Sequence, residues 1–564
     1  MLGRIATRLQ DYTPTTARLP WWRIAAEGAI LALILWVLFL PYYSQMTFLD
    51  EFDNMIGGNV VAHGGAIYID FLSQHTPGAY WISALGHLVG AEHFGGQRLF
   101  GYAVFAVLLA GLYARNVRRF GRVPMLVVAV LVPMMHWYNP ELSYAVLSDN
   151  YQAIAVLYLL FEVVAIGVFR LRALTSWITL GLAGAFAVSV AFVSIYVVAG
   201  AYIVAALLTI LDVRKRLRGV GEWVRFVGMR TLVVVAPYVV VVLVIAATGA
   251  LGAAYEQAYV LNRTYYSLYL AQGLGSDAIA PLYAGFFEIF FHITGLPTLF
   301  SVTETFAVRE LMFFLFLAAC AILFGRIRPV LGIGLLWMAS MSATRGWDGF
   351  HAQPLWSFAL GLLGLLTWVA IVAWGPSLRP RSIPATIGSV VVAGSIVAAT
   401  LPYLTGVYAA RDTLTTPVVF PAPERSALIE TLVPDGGTYG EMSINNAYDF
   451  VVTRRMPAGG FAGVVPWFSD ALDETMAAKL VEDDPVLIFA DDDNDVWGFD
   501  VNANAPALMA VIADGYTRID TTTLGVSGGV YIRNDAVNAS LEQINEAFPG
   551  SSVSTYREAS LSRG

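Results

Sequence analysis

Three carboxylates lie within four residues of one another, directly after the first long apolar run of the chain. They are Asp50, Glu51 and Asp53. A carboxylate at a membrane surface costs solvation free energy unless it faces water or belongs to a site. A carboxylate within hydrogen-bond reach of a hydroxyl can take its proton during a nucleophilic attack. The alternative is that these residues are solvated at the end of a membrane span, and both interpretations stay open.

Asp149 is a fourth candidate carboxylate, in the stretch Ser148-Asp149-Asn150 that precedes a later apolar run. Aspartate and asparagine are also preferred caps at the start of a helix. A capping role and a role in a site are compatible.

The composition requires that these groups be positioned by membrane helices. The chain has 564 residues, of which 57% are hydrophobic and 13% charged, and its mean hydropathy is +0.64. A soluble protein of this size would not tolerate such a surface. The single cysteine, Cys320, excludes a disulfide within the chain and a thiolate metal site.

Hydropathy and charge together predict about eleven membrane spans. A span needs about 20 apolar residues, and Arg and Lys in short loops mark the cytoplasmic side. The odd number places the N-terminus inside and the C-terminal part outside. The predicted spans are residues 24–43, 99–114, 123–137, 151–169, two within 174–212, 231–250, 309–325, 329–344, 354–374 and 385–403.

The apolar segment 281–298 is interpreted as lying at, or dipping into, the membrane interface. If it were a span, Arg326 and Arg328 would fall outside. The membrane module is therefore predicted over residues 1–403. Its outer loops are 44–98, 137–150, 251–308 and 345–353.

Residues 404–564 are predicted to form a separate outer domain of α/β type. They contain 9 basic and 23 acidic residues, a net charge of −14, whereas the preceding part has a net charge of +6. An acidic domain of this kind does not bind nucleic acid. Short apolar strands at 486–490 and 529–533 alternate with helical patterns at 469–481 and 505–513.

The first outer loop contains a recognisable order of motifs: a span, an acidic pair, Gly-x-x-Tyr, a polar-Pro step, an aromatic helix, and Gly and Arg-Leu before the second span. The residues are Asp50-Glu51, Gly65-Ala66-Ile67-Tyr68, Gln74-His75-Thr76-Pro77, Tyr80-Trp81 and Gly95-Gly96-Gln97-Arg98-Leu99. This order resembles the first loop of GT-C glycosyltransferases, in particular the protein O-mannosyltransferase and aminoarabinose transferase-like branch. The resemblance covers residues 24–170 well and the C-terminal part loosely, through Tyr448, Arg454-Arg455-Met456-Pro457 and Gly529-Val530-Tyr531-Ile532-Arg533.

The resemblance implies an α-helical polytopic membrane protein of GT-C type with a C-terminal extracytoplasmic α/β domain. It implies an inverting hexosyl- or pentosyltransferase of the plasma membrane. The donor would be a polyprenyl-phosphate sugar, and the acceptor a glycan, lipid or protein of the bacterial cell envelope. Membrane lipids are further partners.

The resemblance also implies roles for single residues. Asp50 matches the acidic residue that acts as the general base or sits beside the attacked sugar, with Glu51 adjacent. Asp149 matches the second acidic residue. Asp53, Gln74 and Tyr68 are assigned to substrate binding.

The leaving polyprenyl phosphate needs fixed cationic groups. Related enzymes often carry a lysine near the Pro step, where this chain has Gln74 and His75. Arg345 and His351 lie in a late outer loop, in which Arg345 alternatively anchors the loop to lipid headgroups. The outer candidates are His75, Arg98, Arg263, Arg345 and His351.

Tyrosines at 255, 259, 265, 266 and 269 surround Arg263, a pattern typical of an interfacial membrane helix; stacking on a sugar ring is the alternative. The sequence predicts no particular cofactor. A divalent cation is possible at Asp50 and Asp53, and the acidic run 491–495 is a candidate calcium site or a solvated turn, without the glycine and ligand spacing of an EF-hand.

Two other functions remain as alternatives. A transporter or flippase of lipid-linked sugars would need intramembrane charges and repeated halves, and neither is prominent in the sequence. A non-catalytic sensor would use the outer domain as a binding module. It would not require Asp50, Asp149 and His351 to converge.

Overall fold

The chain forms long helices followed by an α/β region. The structure is a computed structural model that describes residues 8–9, 15–40, 49–138, 148–169, 173–214, 217, 219–266, 269, 306–342, 353–374, 405, 408, 423–443, 448–491, 495–496, 499–526 and 528–555. It divides into two compact units. The first comprises Met1–Met46, Arg98–Val244 and Ser276–Pro417, and the second Thr47–Gln97, Ile245–Gly275 and Val418–Gly564.

The helices as far as residue 374 are, in chain order, α1 (Trp21–Phe39), α2 (Leu49–Ala62), α3 (Gly78–Leu88), α4 (Phe94–Phe120), α5 (Arg122–Tyr138), α6 (Ser148–Phe169), α7 (Leu174–Val190), α8 (Ile195–Val213), α9 (Val220–Ala247), α10 (Leu251–Tyr255), α11 (Phe306–Ile327), α12 (Pro329–Ser342) and α13 (Gln353–Trp374). Helix α10 continues as a π-helix, Glu256–Tyr266.

Among the described residues, six helices are long and apolar enough to cross a membrane: Trp21–Phe39, Phe94–Phe120, Asn150–Phe169, Phe192–Val213, Val220–Ala247 and Gln353–Ala373. The chain is thus a multi-pass helical membrane protein. Each of the first ten predicted spans overlaps a helix. The eleventh, 385–403, the interfacial segment 281–298 and the predicted domain boundary at 404 lie outside the described residues.

Helix α9 begins eleven residues before the predicted span at 231. Its first part carries Glu222, Arg225 and Arg230, which lie before the predicted span. Once a helix is nucleated, each further residue adds a backbone hydrogen bond. The helix therefore extends beyond the apolar segment.

Helix α6 lies in the centre of the first unit and packs against α7 and α13. Its Glu162 has no solvent exposure. The Oε1 atom of Glu162 lies 2.6 Å from Arg115 Nε and 2.9 Å from Arg119 Nη1. A buried carboxylate needs such partners. Part of the arginine cluster that marks the predicted cytoplasmic side therefore also neutralises this buried charge.

The C-terminal part of the second unit is an α/β domain, as predicted. Its elements are α14 (Pro423–Leu432), β1 (Thr438–Glu441), α15 (Asp449–Thr453), β2 (Met456–Pro457), α16 (Pro466–Asp483), β3 (Leu487–Ala490), β4 (Asp495–Val496), β5 (Phe499–Asp500), α17 (Pro506–Gly515), β6 (Tyr516–Asp520), β7 (Gly529–Arg533), α18 (Val537–Ala547) and β8 (Ser554–Thr555).

One sheet has the strand order β2-β1-β3-β7-β6-β8, and β4 and β5 form a separate antiparallel pair. Strand β1 pairs in parallel with β2 and β3, and the other pairs are antiparallel. All four residues of β3 are buried, in agreement with a central strand between helical layers.

Candidate active site

Helix α2 presents the three carboxylates that follow the first span. Asp50 and Asp53 are three residues apart and therefore share one face of the helix. Asp50 is partly exposed, whereas Glu51 is completely buried. Asp50 and Glu51 lie in the first turn, where the positive end of the helix dipole favours negative charge.

Asp53 belongs to a polar cluster with Tyr80 and His75. The Tyr80 hydroxyl donates to Asp53 Oδ2 at 2.6 Å. His75 Nδ1 lies 3.3 Å from the same oxygen, and both of these side chains are partly exposed. Ser73 Oγ hydrogen bonds with the Tyr80 hydroxyl and accepts from the His75 backbone N–H at 2.9 Å.

Tyr80 is fixed as a hydrogen-bond donor. Burial, and after it the nearby charge of Asp53, raise the pKa of Tyr80 well above its usual value. A phenol that keeps its proton donates to a carboxylate rather than competing with it. Asp53 Oδ2 is thereby held in place and faces the imidazole of His75.

A tight loop over residues 66–77 carries His75. Tyr68 adopts a left-handed backbone conformation with φ 77°, which is uncommon for a bulky residue and stores strain. Its side chain is 3% exposed, and its hydroxyl donates to the His75 carbonyl at 2.8 Å. Ala66 N–H donates to Asp70 Oδ2 at 2.7 Å. Tyr68 thus supports the backbone at His75.

The π-helix holds this loop from a distant part of the sequence. Gln257 Nε2 donates to the Tyr68 carbonyl at 2.8 Å, and its Oε1 accepts from Ser73 N–H at 2.9 Å. Asn262 Nδ2 donates to the Gln74 carbonyl at 2.6 Å. The i to i+5 repeat of a π-helix brings Gln257 and Asn262, five residues apart, to one side.

The C-terminal domain contacts the loop within the same unit. Trp467 Nε1 donates to Gln74 Oε1 at 2.5 Å, and Leu72 N–H donates to the Gly460 carbonyl at 2.6 Å. Gly460 has φ 66°, and a side chain at this position would meet the Asp70 backbone oxygen. A glycine is therefore required where the two segments meet.

The remaining predicted site residues are distributed as follows. Arg263 is exposed on the π-helix, where its Nη1 donates to the Tyr259 hydroxyl at 2.8 Å. Arg98 is completely buried in the first unit. Asp149 lies in the first turn of α6, but its side chain is outside the described part of the chain, as are Arg345 and His351.

Sequence reasoning did not assign Tyr80, Ser73, Gln257 or Asn262 to the site. Tyr80 follows the Pro-step motif on which the resemblance rests. Its position in the first turn of α3 was the local feature that could have indicated a role in the site. Gln257 and Asn262 follow the end of the loop by 180 and 185 residues, and no local pattern connects them with it.

Metal ligands were considered at Asp50 and Asp53. Among the residues that the structure describes, no group of three or more His, Cys, Asp and Glu side chains is placed to hold a metal ion. Of the acidic run 491–495, the residues 492–494 lie outside the described part.

Chemically, the cluster combines a positioned carboxylate with an imidazole that can carry a proton. An Asp beside a histidine orients the ring and stabilises its cationic form. Such a cation can meet a phosphate, and a second carboxylate on the same helix face can accept a proton from a hydroxyl.

Comparison with solved structures gives a similarity in fold. The chain is similar to the crystal structure of ArnT from Cupriavidus metallidurans bound to undecaprenyl phosphate, with 16% sequence identity, a TM-score of 0.43, and coverage of 77% of this chain and 85% of that one. No protein-family model matches the chain. No curated protein matches it by sequence.

Proposed function

We propose that this chain is a GT-C-type glycosyltransferase that moves a sugar from a polyprenyl-phosphate donor to a hydroxyl of a cell-envelope acceptor. The transfer takes place at the outer face of the plasma membrane. The observation that carries the proposal is the cluster of Asp53, His75 and Tyr80 beside Asp50, in a chain with six helices, among the described residues, that are long and apolar enough to cross a membrane.

Asp50 is the proposed general base. Oδ2 of Asp53 already accepts from Tyr80 and faces His75, so this oxygen is occupied by protein groups. Asp50 lies one turn earlier on the same helix face and is partly exposed. Its partial exposure allows an acceptor hydroxyl to reach it from solvent.

The reaction is a single displacement. The acceptor hydroxyl gives its proton to the Asp50 carboxylate while its oxygen bonds to the anomeric carbon of the sugar. The bond between that carbon and the phosphate oxygen breaks, and its electron pair leaves with the polyprenyl phosphate. Attack opposite the leaving group inverts the anomeric centre.

His75 is the proposed contact of the leaving phosphate. Asp53 supports the protonated imidazole, whose positive charge would stabilise the phosphate as negative charge develops on it. Arg263 follows Asn262, which contacts the residue next to His75, and is the second proposed contact. Arg345, His351 and Asp149 keep their sequence-based assignments, the first two to the donor phosphate and Asp149 to catalysis.

The experiment is glycosyl transfer by the purified full chain in detergent, with a panel of polyprenyl-phosphate sugars and crude envelope acceptors. The expected result is a glycosylated acceptor and an equal amount of free polyprenyl phosphate. If the chain moves lipid-linked sugars across liposome membranes without breaking the glycosidic bond, it is a transporter and the proposal is wrong.

A further inference from the structure

The α/β domain contacts both segments that carry the candidate site. Asp53 lies on helix α2, and His75 lies in the loop over residues 66–77, with the two side chains 3.3 Å apart. In each segment, the domain contacts the residue that directly precedes the site residue in the sequence. All of these segments belong to the second unit.

On the side of the loop, the contact is made by Trp467, the second residue of α16. Its Nε1 atom donates to Gln74 Oε1 at 2.5 Å, and Asn262 of the π-helix donates to the Gln74 carbonyl at 2.6 Å. Gln74 is therefore held through its side chain and through its backbone. His75 follows directly, so its backbone is fixed by the same two contacts.

The indole of Trp467 is itself fixed by packing. Its side chain is 6% exposed, and its ring centre lies 5.0 Å from that of Tyr266 and 6.2 Å from that of Tyr269. The Tyr269 hydroxyl donates to Asp470 Oδ2 at 3.3 Å. Edge-to-face aromatic pairs favour one relative orientation of the rings. The indole N–H is thus directed at the loop by the surrounding tyrosines.

On the side of helix α2, the domain contacts residues before and after Asp53. The rings of Phe52 and Tyr448 pack edge to face, with centres 6.3 Å apart, and both residues are almost completely buried. Further along the helix, Asn59 Nδ2 donates to Met456 Sδ at 3.3 Å. The domain therefore fixes this helix on both sides of Asp53.

The distance between Asp53 and His75 is sensitive to any shift of the two segments. Their 3.3 Å contact is slightly longer than a usual N–H···O hydrogen bond, so a small displacement of either segment would break it. Displacements of about 1 Å can reduce catalytic rates severely. Because one folded domain contacts both segments, it keeps their separation constant.

We propose that the α/β domain positions the two halves of the transfer site, and that Trp467 is the positioning residue for His75. Trp467 acts through Gln74 and has no contact with the reacting atoms. This inference rests on the proposed glycosyl transfer. It gives the domain a role in turnover that a separate binding module would not have.

The test compares the steady-state transfer kinetics of wild type and Trp467→Phe. Phenylalanine keeps an aromatic ring against Tyr266 but removes the Nε1 donor. The kcat should fall about fivefold, a usual effect of losing one hydrogen bond. The KM of the donor should stay the same, because an interaction that only positions the reacting groups is expressed in kcat.

Trp36→Phe is the matched control, since it removes the same kind of bond in the first unit. Trp36 Nε1 donates to the Leu99 carbonyl at 3.0 Å. This variant should keep the kcat of wild type. Equal losses in the two tryptophan variants, or a higher donor KM with unchanged kcat in Trp467→Phe, would overturn the inference.

Gln74→Leu provides a second variant, which removes the acceptor of the same bond and keeps a side chain of similar size. The double variant of Trp467→Phe and Gln74→Leu should lose no more kcat than Gln74→Leu alone, because both changes break one bond. Independent, additive losses would show that Trp467 does not act through Gln74.

Hydrogen exchange of residues 72–76, followed by mass spectrometry, separates this inference from the proposed function. Exchange should become faster in Trp467→Phe and stay unchanged in Trp36→Phe. If wild type transfers no sugar, the proposed function fails, while the exchange result still decides whether Trp467 holds the loop. Unchanged exchange in Trp467→Phe would overturn the inference even if wild type is active.

Discussion

The orientation of the His75 side chain is set by the contact that its Nδ1 atom makes. Asp53 Oδ2 lies 3.3 Å away and is itself held by the Tyr80 hydroxyl. A histidine oriented in this way directs its Nε2 atom away from the carboxylate. In the proposed reaction, Nε2 is therefore the atom that meets the donor phosphate.

Tyr80→Phe should lower both transfer activity and stability. The substitution removes the donor that holds Asp53, at a cost of about 1–2 kcal/mol because Asp53 is partly exposed. Loss of orientation at His75 should reduce kcat about tenfold or more. Transfer kinetics and thermal unfolding in detergent measure the two effects.

Tyr113→Phe is the matched control for that variant. The Tyr113 hydroxyl donates to Glu27 Oε2 at 2.8 Å in the first unit, so the same kind of bond is removed elsewhere. Its transfer activity should stay near that of wild type. Equal activity losses in the two variants would remove the special role assigned to Tyr80.

The order of motifs in the first outer loop singled out Asp53, Gln74, His75 and Tyr68. In the structure His75 faces Asp53, and Tyr68 contacts the His75 backbone. Their particular contacts were not predictable. The hydroxyl of Tyr68 supports the His75 backbone, and Glu51 is buried, because tertiary packing decides which side of a helix or loop faces the interior.

At the scale of elements, the π-helix supports the loop over residues 66–77. Gln257→Leu should leave the Tyr68 carbonyl and the Ser73 N–H without their partner, at about 1–3 kcal/mol for each buried group. Hydrogen exchange of residues 66–77, followed by mass spectrometry, should become faster. Unchanged exchange in this segment would show that the π-helix does not hold the loop.

Helical spans were predictable because apolar length is a local property of the sequence. The π-helix was not, since the residues that its side chains contact lie about 180 residues earlier in the chain. In the α/β domain, β3 and β7 were predicted as strands from their apolar residues. Their antiparallel pairing, with Leu487 opposite Ile532, is a long-range contact that no local pattern specifies.

Strand β1 carries one member of a buried charge network in the α/β domain. Glu441 and Asp449 both contact Arg425, and all three are almost completely buried. Two carboxylates thus share one cation. Burial raises the pKa of Glu441 to about 8, against the opposing effect of Arg425, and burial also raises the pKa of Asp449.

This network predicts a pH dependence of stability. Between pH 4.5, the usual pKa of the side chain, and about 8, the folded chain binds the Glu441 proton more tightly than the unfolded chain does. The contribution of Glu441 to stability should therefore fall as pH rises through this range. Glu441→Gln should flatten the dependence in thermal unfolding; a variant that keeps the full slope would contradict the assignment.

At the scale of the whole molecule, charge is distributed unevenly along the chain. The segment from residue 404 has a net charge of −14, and the part before it +6. Arg328, between α11 and α12, pairs with Asp212 of α8 at 2.6 Å.

The most direct test of the central claim compares wild type, Asp50→Asn and Asp514→Asn in the transfer assay. Asp514 is exposed on the α/β domain and serves as the matched control. Loss of the general base should reduce transfer at least about 100-fold with a folded protein, whereas Asp514→Asn should transfer like wild type. Full activity of Asp50→Asn would contradict the proposed role of Asp50 in glycosyl transfer.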